Sequence, residues 1–203
     1  MFCSGILFMS DCFLSKLAQA RPDPGGGSAC AHAALLGLAL LKKVASLELR
    51  SGSWLCGPGK DWPTLMNIVQ KLESQFLDLR EKDTQAYLNM VEAQRSGDTD
   101  ERFADALARA IECPCLIIDA STLALDCLLQ AVRNCRKHLL PDLMAAAEFV
   151  AAAAHGAAHI AKANVEVVPD SEERRRWSSR LDISQNDLRS KIEAIRGART
   201  PSM

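Results

Sequence analysis

The sequence predicts an all-α fold, a single-domain bundle of about six to eight helices. Apolar residues recur at three- and four-residue spacing through long stretches, as in Leu65, Ile68, Leu72, Phe76 and Leu79. No period-two alternation survives over a useful length, so strands are few or absent. Proline, glycine and capping residues punctuate the chain where helices would stop and start. At 203 residues, 48% of them hydrophobic, the chain is sized for one buried core.

Residues 1–9 read as an extension, 10–196 as the helical domain and 197–203 as a flexible tail, with Met9 an alternative start to Met1. The first nine residues are apolar but lack the basic leader and small-residue cleavage site of a signal peptide. A short helix is expected near Asp11 to Ala20. The turn Pro22-Asp23-Pro24-Gly25-Gly26-Gly27-Ser28 follows, and its spacing predicts a helix from Ser28 to about Arg50, with the Ser28 hydroxyl as N-cap and a charged, exposed far end. Residues 51–63, rich in Gly, Pro and Trp, form a loop long enough to be a candidate lid. A long amphipathic helix covers Thr64 to about Arg95, and Asp98 with Glu101 makes a capping box for the next. That helix is expected to end near Pro114, with a second apolar helix continuing to about Asn134. Pro141-Asp142 opens an alanine-rich helix reaching about Asn164, and Asp170 with Glu173 caps the last. Lys42 and Lys43 after about thirteen apolar positions, and His155 with His159 in the alanine-rich segment, argue against membrane spans.

A formal charge of -1 gives no general attraction to nucleic acid or to an anionic membrane. Eight cysteines occur without a Cys-x-x-Cys pair, and Cys113-Pro114-Cys115 has poor spacing for zinc, so reduced core thiols and no metal are expected. His155 and His159, one turn apart, have no carboxylate at ligand spacing. His32 reads either as a hydrogen-bonded core histidine or as a catalytic one.

Two features carry chemistry. Bare amides at a helix start attract anions, and the glycines of Gly25-Gly26-Gly27-Ser28 let a flat ligand approach the backbone; the competing reading is a tight turn between packed helices. Asp83 falls on the apolar stripe of the long helix, where a carboxylate is costly without partners, and Tyr87, the only tyrosine, lies one turn further. A buried Asp satisfied by backbone amides is the alternative to a catalytic acid.

The Pro-Gly-Gly-Gly-Ser turn before an Ala/Leu helix, and the segment Leu79-x-x-x-Asp83-x-x-Ala86-Tyr87, resemble the cyclodeaminase/cyclohydrolase family of all-helical folate enzymes. Pro114 is similar to a helix-breaking proline of that family, and Pro141-Asp142 to its Ser-Asp helix start. Gly156-Ala157, Asn164 and Asp170 align with a Gly-Ala-x-x-Asn-Val-x-x-Asn-Leu-x-x-x-x-Asp pattern whose first Asn is Ile160 here.

The resemblance implies Asp83 and Asp142 as catalytic residues and Asp23, Gly25, Gly26, Gly27, Ser28, Tyr87 and Asn164 as substrate-binding ones. Asp142 also reads as a plain N-cap. The implied reaction needs no metal and no cofactor beyond the tetrahydrofolate substrate. In either family reaction a carboxyl with a burial-raised pKa shuttles protons at one carbon, and its ionised form favours the delocalised cation. Methenyltetrahydrofolate cyclohydrolase is placed first because no fused formiminotransferase domain is present, and formiminotetrahydrofolate cyclodeaminase second. A non-catalytic helical dimer module, favoured by Ile160 and Pro141, is the reading from another class. A cytoplasmic homodimer with its cleft near the subunit boundary is also implied, and the small residues of Ala29 to Leu41 and Met144 to Ala158 are assigned to that assembly.

Overall fold

The computed structural model describes residues 13–52, 61–96 and 100–198. They form helix α1 over residues 13–17, α2 (Gly26–Ser51), α3 (Trp62–Ser96), α4 (Asp100–Asn134), a 3-10 turn (Lys137–Leu139), α5 (Leu140–Glu166) and α6 (Ser171–Gly197). No strand occurs among the described residues. The extension 1–9, the loop residues 53–60 and the Asp98 half of the capping box lie outside them.

Helices α2 and α5 run antiparallel at the centre, as their paired contacts Gly26 with Ile160, Cys30 with Gly156 and Gly37 with Val150 require. Small residues set that closeness. A Cβ on Gly37 would stand 2.6 Å from Val150 Cγ2 and 2.7 Å from the Ala146 carbonyl, and one on Gly156 would stand 2.6 Å from Cys30 Sγ. Ala31, Ala34, Ala146, Ala147, Ala153, Ala154 and Ala157 are all buried within one chain. The small residues assigned to subunit assembly are therefore taken up by packing inside the bundle, and they no longer argue for a dimer.

Helix α3 lies against α2 and α4, and α6 crosses α4 and α5. Asp119 and Asp126, exposed on α4, pair with Arg180 and Lys191 of α6, so these two acids fasten the last helix. Asp170 caps α6 by accepting the Glu172 and Glu173 amides at 2.6 and 3.1 Å, as its spacing predicts. Three helical stretches, Gly26–Ser51, Glu101–Asn134 and Lys137–Glu166, are long and apolar enough by length and composition to cross a membrane. Their buried residues pack on one another here.

The sequence divides α4 at Pro114; the structure does not. Proline inside a helix removes one N–H and orphans the carbonyl four residues earlier, here that of Ala110. Asn164 of α5 donates its Nδ2 to that carbonyl at 2.8 Å, so a side chain replaces the missing backbone donor and α4 continues to Asn134. Asn164→Ala should cost about 1–3 kcal/mol in the native chain, the price of a stranded polar group. The cost should shrink markedly in a Pro114→Ala background, where residue 114 supplies its own N–H. Chemical denaturation of the four-member cycle measures the coupling, and equal costs in both backgrounds would refute it.

Candidate active site

Helix α2 begins two residues earlier than its spacing predicts. Gly25, not Ser28, occupies the N-cap position, and it has no side chain with which to cap. The first intrahelical bond runs from the Ala29 amide to the Gly25 carbonyl, leaving the amides of the first turn without backbone partners. Asp83, from the middle of α3, supplies the missing anion: its Oδ2 accepts the Ser28 amide at 2.8 Å. Ser28 is fully buried, and its hydroxyl lies 2.7 Å from the Arg80 carbonyl, 2.9 Å from Thr84 Oγ1 and 3.4 Å from Asp83 Oδ2. The serine thus ties α2 to α3 instead of capping its own helix.

The three glycines have different tasks. A Cβ on Gly25 would make an ordinary 3.5 Å contact with the Pro22 carbonyl, and one on Gly26 would meet the flexible end of Ile160 at 3.1 Å. A Cβ on Gly27 would collide with the whole carboxyl group of Asp83. Close approach to the backbone is required at Gly27 alone, and the group that approaches is this chain's own carboxylate where a flat ligand was expected. None of the three has a positive φ, which among the described residues is confined to Gly52.

Asp83 keeps only 9% of its surface exposed. Burial pushes its carboxyl above the ordinary aspartate range, and the bonds from the Ser28 amide and hydroxyl hold the rise back. Its second oxygen, Oδ1, accepts no hydrogen bond among the described residues. Helices α1, α2 and α3 also build an aromatic and cationic stack that spacing alone did not predict. Phe13 of α1 stacks on His32 with ring centroids 4.5 Å apart, and the Arg80 guanidinium sits 5.3 Å over the Phe13 ring. His32 Nδ1 is buried without a partner, so the hydrogen-bonded core histidine of the sequence reading is not found. Burial, with the nearby Arg80 charge, lowers its pKa. The signal for Arg80 was present, one turn before Asp83 on the same helix. Tyr87 follows Asp83 but is 40% exposed, and Asp23 is half-buried at the cis Asp23-Pro24 bond.

The remaining predicted residues are not brought to this place. Asp142 lies in the first turn of α5, where Leu139 is the N-cap, and it forms a 2.7 Å ion pair with Lys43. Lys43 is fifteen residues along α2 from Ser28, about 22 Å at 1.5 Å per residue, so Asp142 stands at the other end of the bundle from Asp83. Asn164 is engaged with Ala110. Glu48, expected at an exposed end, is 1% exposed; it accepts the Arg136 amide at 2.9 Å and Nε at 3.1 Å and binds α2 to the turn before α5. Arg174 donates to the Val168 carbonyl at 2.9 and 2.6 Å. Among the described residues no three His, Cys, Asp or Glu side chains gather as a metal ion needs, and Cys30, Cys113, Cys115, Cys127 and Cys135 are free thiols.

The formiminotransferase-cyclodeaminase family model matches residues 9–182, a span containing the glycine turn, Asp83, Pro114 and Asn164. The chain belongs to the formiminotransferase-cyclodeaminase family. The crystal structure of formiminotetrahydrofolate cyclodeaminase from Thermotoga maritima has the same fold, with a TM-score of 0.81 at 18% identity over 91% of each chain. Comparison with curated protein sequences gives no match. In this member of the family the first Asn of the Gly-Ala-x-x-Asn pattern is Ile160, whose Cδ1 lies over Gly26.

The glycine geometry predicts an ordered sensitivity. Gly27→Ala should displace the Asp83 carboxyl, break its bond to the Ser28 amide and lower stability by about 1–3 kcal/mol. Gly26→Ala should stay within about 0.5 kcal/mol of the parent or gain slightly from helix propensity, because Ile160 can move. Thermal unfolding of the two variants checks this, and equal tolerance at both positions would contradict it.

Proposed function

We propose that the chain is a folate-dependent formiminotetrahydrofolate cyclodeaminase. The observation that carries the reading is the Asp83 carboxyl: buried, raised in pKa, and held through one oxygen while the other is unengaged. The family match and the similar structure both bear the cyclodeaminase name, which reverses the order of the two reactions inferred from sequence. Methenyltetrahydrofolate cyclohydrolase becomes the second reading, since hydrolysis at the same carbon needs the same acid.

In the proposed reaction N10 of the folate attacks the carbon of the protonated formimino group (an amidinium, –CH=NH2+) on N5, the N10 proton passes to that nitrogen, and it leaves as ammonia. The product carries a methenyl cation bridging N5 and N10. Asp83 Oδ1 takes the proton from N10 and delivers it to the departing nitrogen, which a carboxyl with a pKa raised above the ordinary aspartate range does better than an ordinary aspartate. Its ionised form then stabilises the cation, with no metal and no covalent intermediate called upon. The Ser28 amide holds the carboxyl through Oδ2 and leaves Oδ1 without a hydrogen bond among the described residues. Asp142 is not part of this step within one subunit. We also propose a cytoplasmic homodimer. Leu36 on α2 and Phe149 on α5, 46% and 42% exposed, supply apolar surface beside the Gly37–Val150 contact, and the free thiols suit a reducing compartment.

A non-catalytic helical module is favoured by one observation: Asp83 caps α2, a structural use of the same carboxyl. Asp83→Asn separates the readings. Asn keeps an oxygen for the single Ser28 amide, so the melting midpoint should stay near the parent, while turnover of 5-formiminotetrahydrofolate, followed by the near-ultraviolet absorbance of the methenyl product, should fall about a hundredfold or more. Running methenyltetrahydrofolate beside it tells the two reactions apart. A destabilised variant with near-normal turnover per folded molecule would sink the catalytic assignment.

The raised pKa also predicts a pH dependence. A carboxyl whose folded value exceeds its unfolded value of about 3.8 favours the fold when protonated, and that contribution is lost as pH rises through the folded value. Asp83→Asn, which cannot ionise, should therefore gain stability relative to the parent as pH rises through that window. Denaturant midpoints at a series of pH values measure the difference, and a gap that moves the other way contradicts a desolvated carboxyl.

A further inference from the structure

Arg80 is a guanidinium without an adequate acceptor. Its side chain is 19% exposed, and among the described residues it makes one hydrogen bond, from Nη2 to Glu81 Oε1 at 3.3 Å, to a carboxylate that is itself 75% exposed. A guanidinium carries five N–H donors in a planar fork, so most of its capacity is unused. It is nonetheless held in place. The guanidinium lies over the face of Phe13, Phe13 stacks on His32, and the Arg80 carbonyl accepts the Ser28 hydroxyl at 2.7 Å. Asp83 is three residues on, yet the two side chains form no ion pair. A guanidinium held in place with most of its donors unused is open to an acceptor from outside the chain.

Folate chemistry identifies the acceptor, and this step rests on the proposed cyclodeaminase reading, which puts Asp83 at the reacting carbon. That carbon is bonded to N5, and the C4 carbonyl oxygen of the pterin is peri to N5 on the same ring system. The glutamyl carboxylates lie beyond the aminobenzoyl ring. A donor rooted one helical turn from the acid at the reacting carbon is nearer to that carbonyl than to the tail. We infer that Arg80 donates to the pterin C4 carbonyl oxygen, with Phe13 and His32 holding the guanidinium flat against its aromatic support. Arg80 is then a substrate-binding and specificity residue: a 4-oxo ring offers an acceptor, whereas a 4-amino ring presents a donor to a donor.

The test is binding by calorimetry of 5-formyltetrahydrofolate and of its 4-amino-4-deoxy counterpart to the full chain, to Arg80→Met and to Arg80→Lys. The parent should prefer the 4-oxo ligand about tenfold or more, as expected for a hydrogen bond from a charged donor. Arg80→Met, which keeps the apolar stem under Phe13, should lose that preference by weakening the 4-oxo ligand alone. Arg80→Lys, which keeps the charge without the fork, should retain part of it. Equal weakening of both ligands would overturn the inference in favour of a grip on the tail or a purely structural role. A parent that binds both ligands equally well would overturn the subsite and leave the folate reading standing. A parent that binds neither would overturn both. Should Arg80→Met fail to fold, the parent's preference and the lysine variant decide the question.

Discussion

The bond from the Ser28 amide to the Asp83 carboxylate organises this bundle. Helix α2 starts at a glycine that cannot cap it, and the anion that accepts the Ser28 amide comes from another helix. Once Asp83 is that anion, several other features follow. Residue 27 can carry no side chain, Ser28 is freed to bond the α3 backbone, and the midpoint of α3 is pinned across the start of α2. The α2–α5 pair then closes where small residues permit it, Gly156 against Cys30 and Gly37 against Val150.

The same bond sets the chemical character of the acid. A carboxylate gripped by several backbone amides is driven well below its ordinary pKa, whereas one lodged in apolar surroundings is driven up. Asp83 receives one short bond from an amide and a weaker one from a hydroxyl better placed to serve Arg80, and burial outweighs them. The result is an acid bonded through one oxygen, so that the cap leaves the other for the proposed proton transfer.

Much of the fold was legible because helical periodicity reports which face is buried. Leu65, Leu72, Phe76, Leu79 and Asp83 share the buried face of α3, as their spacing requires. The same rule applied to Leu41, Ala45 and Glu48 would have placed Glu48 inside, had its charged neighbours not been read as a solvated end. Periodicity does not report how far a neighbouring helix extends, and Tyr87, one turn beyond Asp83, emerges into solvent. Compensation across long sequence separation was illegible. Nothing local to Pro114 announces that Asn164 will accept the task of its missing amide, and nothing local to Asp142 announces that it lies a whole helix length from Asp83. Phe13 was illegible for the same reason, since stacking and cation–aromatic contacts arise between segments that no spacing rule connects, whereas Arg80, one turn before Asp83, was within reach of the spacing rule.

The identity of the family follows from the family-model match over residues 9–182, and Ile160 puts apolar surface over the glycine turn. Whether Asp83 is a proton carrier or only a cap is written in its protonation equilibrium. Carbon-13 nuclear magnetic resonance of the Asp83 carboxyl, assigned by comparison with Asp83→Asn and titrated in the folded protein, reads that equilibrium directly. A midpoint above the ordinary aspartate value of about 3.8 is expected for a desolvated acid held by one amide. A midpoint below it would mean that hydrogen bonding to the helix start prevails over burial, and would remove the physical basis for acid catalysis at this site.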